Sequence, residues 1–113
     1  MVAHIAVKNN TEFDTKGLPS TLSPIIVKRL LRDSLNFKGL IVTDAMNMGG
    51  VSSVPNSSIK AIQAGCDILL MPSDAKKAHS NILNLYRTNS EFKKTVDEAT
   101  KRIIRMKICS GLI

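Results

Sequence analysis

A chain of 113 residues is too short for two ordinary domains, yet long enough to bury a core of its own. With 43% hydrophobic and 22% charged residues it has a globular balance, and no apolar run approaches the roughly 18 residues of a membrane span. Lys and Arg outnumber Asp and Glu by 16 to 9, but the net charge of +7 is spread over several helical segments with three Phe, one Tyr and no Trp, which argues against a nucleic-acid surface.

Met1 to Val7 is apolar except for His4 and β-branched enough to be a core strand; it has neither the basic start nor the length of a signal peptide. Lys8 to Leu22 reads as a wet loop, with turn chemistry at Asn9-Asn10, Lys16-Gly17 and Leu18-Pro19-Ser20. Ser23-Pro24 opens a helix, Ser as cap and Pro at the first helical position. Its buried stripe is expected at Val27, Leu30, Leu31 and Leu35.

Gly39 turns the chain into the run Leu40-Ile41-Val42-Thr43, which ends on Asp44. A continuous apolar run fits a strand covered on both faces, and a carboxylate at its carboxyl end stands where parallel α/β sheets keep their ligands. The plainer alternative is an Asp that caps the following loop. A loop with Gly49, Gly50 and Pro55 leads to a short helix from Ser57 to Ala64, which Gly65 terminates.

Asp67 to Pro72 reads as a third buried strand. Ser73-Asp74 caps a helix carrying Ala75, Ala78, Ile82 and Leu85, and Asn89-Ser90 breaks it. The last helix buries Phe92, Val96, Ala99, Ile103 and Met106 and offers Asp97/Lys101 and Glu98/Arg102 as i, i+4 pairs; Ser110-Gly111 ends it. Cys66 and Cys109 share no metal-ligand spacing with each other or with His4 and His79, so they read as two buried reduced thiols, with no metal and no disulfide expected. Strands alternating with helices predict an α/β fold on a parallel sheet, and a strand at residue 1 lacks a neighbour.

Three blocks make the chain recognisable. They are Met1-Val2-Ala3-His4-Ile5 with Leu18-Pro19-Ser20-Thr21-Leu22-Ser23, then Phe37 to Met48, then Ala64-Gly65-Cys66-Asp67-Ile68-Leu69-Leu70-Met71-Pro72. In this order they resemble the C-terminal part of the catalytic barrel of glycoside hydrolase family 3, in its β-N-acetylglucosaminidase branch, and Arg102-Ile103-Ile104-Arg105-Met106-Lys107 is similar to the helix that closes such domains.

The resemblance implies that residues 1–113 are an incomplete domain, a partial (β/α)8 barrel holding parallel strands six to eight with flanking helices and a C-terminal helix. It also implies that Asp44 is the nucleophile of a retaining glycosidase acting on terminal β-linked N-acetylglucosaminides, with no metal or cofactor. His4 falls where the family lines the sugar pocket, to touch the substrate or to hold the nucleophile's loop; a hydrogen-bonded core histidine is the plainer alternative.

Met46 and Met48 are placed to form an apolar wall beside the sugar, or simply to pack, and Met48 is taken as substrate-binding. Asp67, at the opposite strand end, reads as structural, His79 as solvated, and Asn47 has no catalytic role. The family's histidine acid/base, in a Lys-His-Phe-Pro-Gly-His-Gly-type segment, has no counterpart here, nor do its hydroxyl-binding Arg, Lys and Asp. The chain is therefore expected to be inactive alone and prone to self-association through uncovered strand edges. The alternatives are a β-glucosidase of the same family and a non-catalytic assembly module.

Overall fold

A computed structural model describes all residues, 1–113. In chain order it contains a 3₁₀ turn at Ser20–Leu22 and helices α1 (Ile25–Ser34), α2 (Gly49–Ser52), α3 (Ser57–Ala64), α4 (Ala75–Thr88) and α5 (Ser90–Cys109). The core is a cluster of Leu22, Val27, Ile41, Met46, Val51, Ala61, Ala64 and Cys66, with Val2, Leu31, Val54 and Leu69 packed on its margin.

The expected three parallel strands of a partial barrel do not form, and the fold is corrected to a helical chain without a sheet. Residues 1–7, 40–44 and 67–71 pair only at two isolated parallel bridges, Val2 with Thr43 and Val42 with Ile68. Each is the minimum parallel pairing. Val2 N–H donates to Val42 C=O at 2.9 Å and Asp44 N–H to Val2 C=O at 2.9 Å; Thr43 N–H donates to Ile68 C=O at 3.0 Å and Ile68 N–H to Ile41 C=O at 3.2 Å.

Side chains and turn residues occupy the backbone groups that would lengthen these ladders. The Leu70 N–H donates to Thr43 Oγ1 (2.9 Å) rather than to a carbonyl, and the Ile41 N–H donates to Asp67 Oδ2 (2.8 Å). The Ala3 carbonyl lies 3.0 Å from Thr21 Oγ1, and Ile5 C=O accepts from Ser20 N–H at 2.7 Å. With these groups already satisfied, hydrogen bonding does not drive further strand pairing at either seam.

The helices follow their local signals more closely. Asp74 caps α4 by accepting the Lys77 N–H, and Asn89 both ends α4 and caps α5 by accepting the Phe92 N–H. Gly65 closes α3 at φ +112°, where a side chain would be strained and its Cβ would press on Val27 at 3.3 Å. At α1 the expectation is only half met: Ser23 makes no side-chain cap, and the helix is π-wound, the Leu35 N–H donating to Leu30 C=O. Val27 is fully buried, but Leu35, just past the last helical residue, is exposed. On α5, Phe92 and Ala99 are buried as expected for that face, whereas Met106 is exposed.

Two further corrections concern charge and sulfur. Neither predicted i, i+4 pair forms: Lys101 pairs with Glu98 at 2.9 Å, Asp97 accepts the Tyr86 hydroxyl at 2.9 Å, and Arg102 turns inward. Its target is Asp67, whose fully buried carboxylate takes Arg102 Nε on Oδ1 at 2.9 Å and both Arg32 Nη2 and the Ile41 N–H on Oδ2. This one side chain ties α1, α5 and the start of residues 40–44 together. Cys66 is buried as expected, but Cys109 is exposed and free.

Removing one partner of a buried ion pair strands the others, so Asp67→Ala should lower unfolding stability by about 3–5 kcal/mol in urea melts. A loss below about 1 kcal/mol would mean that the cluster acts like a surface pair. Burial first, and the Asp67 charge second, push the Cys66 thiol from 9.0 up to about 12. Folding therefore gains from the protonated thiol below pH 9 and loses that gain as pH rises toward 12, so Cys66→Ala should flatten the alkaline fall in stability. In the native chain Cys109 alone should react with a disulfide reagent at about pH 8, Cys66 reacting only after unfolding.

Candidate active site

Asp44 stands one residue beyond the bridging Thr43, at the carboxyl end of its segment and half-buried. Backbone hydrogen bonds hold it on both sides. Its own N–H donates to Val2 C=O at 2.9 Å, its Oδ1 accepts the Ala45 N–H at 2.8 Å, and the Met46 N–H just beyond donates to Leu70 C=O at 2.8 Å. Its second oxygen, Oδ2, has no protein partner, and Asp44 joins none of the four ion pairs. A carboxylate anchored by one oxygen and open at the other can act as a nucleophile or accept a sugar hydroxyl.

His4 is brought to the same end of the segments, but both ring nitrogens face protein. Nε2 lies 2.9 Å from the Ala45 carbonyl and Nδ1 lies 2.8 Å from Thr21 Oγ1. A carbonyl only accepts, so Nε2 carries a proton and donates it there. Of the two roles that the sequence suggests for His4, this geometry supports holding the loop, because neither nitrogen is left for a sugar.

Met48 is exposed, and its N–H also donates to Ala45 C=O, at 3.1 Å. Met46 does not join it as a wall: it is buried in the core, 2% exposed, and serves as packing. Asp67 lies beside Ile41, at the far end of the segments from Asp44, with its charge fully paired, and keeps its structural reading. His79 is exposed on α4 and Asn47 is exposed in the loop.

A cavity of about 420 Å³ lies between residues 52–59, which run from the end of α2 into the first turn of α3, and the start of α4, with Met46, Pro72, Asp74 and Lys77 in its wall. Asp44, His4 and Met48 are not part of it, so the half-buried carboxylate lies outside this pocket. No three His, Cys, Asp or Glu side chains are grouped to hold a metal ion, and no helix is long and apolar enough to cross a membrane.

Thr21 is the residue that sequence reasoning missed. It is fully buried on the 3₁₀ turn and touches the His4 ring, the Val2 and Ala3 carbonyls and, through its own carbonyl, the Cys66 thiol at 3.7 Å. Its signal lay in the Pro19-Ser20-Thr21-Leu22-Ser23 block, where a run of small hydroxyl residues interrupts an otherwise wet loop.

Residues 1–106 match the glycosyl hydrolase family 3 N terminal domain. A beta-N-acetylglucosaminidase/beta-glucosidase of Cellulomonas fimi is 34% identical over 102 residues, covering 88% of this chain and 18% of that protein. Beta-hexosaminidase A of Pseudoalteromonas piscicida is 32% identical over 126 residues, covering 95% and 21%. The crystal structure of a beta-N-acetylhexosaminidase from Beutenbergia cavernae superimposes with a TM-score of 0.73 at 32% identity, covering 80% of this chain and 28% of that one. The chain thus spans about a fifth of the length of the curated relatives it matches. A family match over nearly the whole sequence, with its conspicuous aspartate held at a segment end, makes this chain a member of glycoside hydrolase family 3.

Proposed function

We propose that this chain is the C-terminal part of the catalytic domain of a retaining glycoside hydrolase that removes terminal β-linked N-acetylglucosamine, with Asp44 as its nucleophile. The observation that carries the reading is the Asp44 carboxylate itself, anchored through Oδ1 and free at Oδ2 beside the open end of the bridged segments. In the first step Oδ2 bonds to the anomeric carbon as the bond to the leaving oxygen breaks, and a proton from a separate acid neutralises that oxygen. Water then cleaves the glycosyl ester and regenerates the carboxylate.

The acid is not among these residues. His4 has its Nε2 proton on a backbone carbonyl, and His79 is exposed on α4. A nucleophile without a donor completes neither half of the reaction, so the chain alone is inactive. The N-acetylglucosaminide preference rests on the names of the relatives. The double name of the Cellulomonas fimi relative favours β-glucosides as the second reading. Met48 supplies an exposed apolar surface in the loop that follows Asp44, against which a sugar face can pack.

The labelling test uses a polypeptide in which this chain follows the rest of a family 3 domain, treated with an activated fluoro-glycoside whose fluorine sits at C5 because C2 carries the acetamido group. Mass spectrometry should find the sugar on Asp44, and Asp44→Asn should lose the label and roughly 10³-fold or more in turnover. A label on another carboxylate refutes the assignment. The 113-residue chain by itself should show no turnover of an aryl N-acetyl-β-glucosaminide. It should also self-associate in sedimentation experiments, because Met1, Ile5 and Met71 are 79%, 65% and 58% exposed beside unextended ladders. A sharp monomeric boundary at high concentration would count against that.

A further inference from the structure

The Thr21 hydroxyl has more acceptors around it than protons to give. Its Oγ1 lies 2.8 Å from His4 Nδ1, 3.1 Å from Val2 C=O and 3.0 Å from Ala3 C=O, and a hydroxyl carries a single proton. Two arrangements satisfy this geometry. Either the hydroxyl donates to Nδ1 of a neutral ring, or it donates to the carbonyls and accepts a hydrogen bond from Nδ1–H of an imidazolium. In both, Nε2 keeps its proton and keeps it on Ala45 C=O.

The ring is therefore locked from behind by a buried hydroxyl and bound in front to the residue that follows Asp44. Ala45 has both backbone groups committed: its N–H to Asp44 Oδ1, and its C=O to His4 Nε2 and the Met48 N–H. Without the imidazole, the Ala45 carbonyl keeps only the Met48 N–H, and the peptide that presents the carboxylate's anchoring N–H is held less firmly. The ionisable groups in direct contact with this set are Asp44 itself and the Cys66 thiol, whose Sγ donates to the Thr21 carbonyl; beyond the thiol lie Asp67, Arg32 and the N-terminal ammonium, whose charges act on it. That thiol is buried and stays protonated, so it adds no charge.

We propose that Thr21 and His4 are a positioning pair for Asp44: Thr21 fixes the imidazole so that Nε2–H clamps the Ala45 carbonyl, which holds the Ala45 N–H on Asp44 Oδ1 and leaves Oδ2 facing outward. The catalytic half of this statement rests on the reading of Asp44 as nucleophile. The clamp itself does not.

Two readouts separate the halves. Two-bond ¹H–¹⁵N correlation spectra of the 113-residue chain should show His4 with its proton on Nε2. Thr21→Val, which keeps the shape and removes the hydroxyl, should release the ring to a mixture of tautomers, and Thr21→Ser should restore the wild-type signature. In the longer polypeptide, Thr21→Val should slow fluoro-glycoside labelling of Asp44 roughly 10- to 100-fold through a lower kcat with little change in KM, the effect of misplacing a reacting atom. Thr21→Ser should recover most of that rate, and His4→Gln, whose amide can still donate to Ala45 C=O, should lower kcat without raising KM.

A His4 signature that is indifferent to Thr21→Val overturns the pair, even if Asp44 is labelled. A signature that responds while Asp44 remains unlabelled supports the clamp and removes the nucleophile reading instead. If KM rises and kcat holds in the His4→Gln protein, His4 binds sugar and the positioning role is wrong.

Discussion

The fold depends on a buried carboxylate shared between two guanidinium groups. Asp67 is fully enclosed, and its oxygens are committed to Arg32 of α1, Arg102 of α5 and the Ile41 N–H. Burying a charge is unfavourable unless its lone pairs are filled, and here three donors fill them. The geometry of those donors sets the structure around it: α5 cannot leave α1, and residue 41 cannot slip past residue 67, without exposing or stranding a charge. Cys66, the preceding residue in the chain, feels the same carboxylate, which with burial keeps its thiol protonated.

Two aspartates thus stand at opposite ends of adjacent parallel segments in opposite circumstances. Asp67 commits both oxygens to cations and a backbone amide. Asp44 commits one, to the Ala45 N–H, and keeps the other free. Register links them: the clamp at Ile41 fixes where the segment starts, and the Val2 and Ile68 bridges carry that register to Thr43, so the second carboxylate emerges at a defined place. Parallel packing leaves the carboxyl end open to ligands and places the structural ties at the other.

Competition for backbone partners accounts for the missing sheet. Thr43 Oγ1, Asp67 Oδ2, Thr21 Oγ1 and the Ser20 N–H take backbone groups that a continuous ladder would use, so pairing stops after one bridge at each seam. Several of these interactions also build the candidate site, Thr21 above all. Positions that depart from regular secondary structure are where the Asp44 carboxylate and its supporting ring are held.

Local signals were legible before any fold was known. Asp74 and Asn89 start α4 and α5, Gly65 ends α3, and the aspartate after the run Leu40 to Thr43 marks the carboxyl end of its segment, because caps, turns and apolar runs act within a few residues. The family, too, was carried by short contiguous blocks, and the domain match bears it out. Partnerships between distant residues were not legible. Arg102 prefers Asp67, 35 residues away, to the Glu98 one turn behind it, and His4 meets an Ala45 carbonyl 41 residues on. The deciding term there is the low dielectric around an enclosed partner, which binds a charge or a ring nitrogen more strongly than a solvent-screened neighbour in sequence does. Which side chains are enclosed together is settled only when the chain packs.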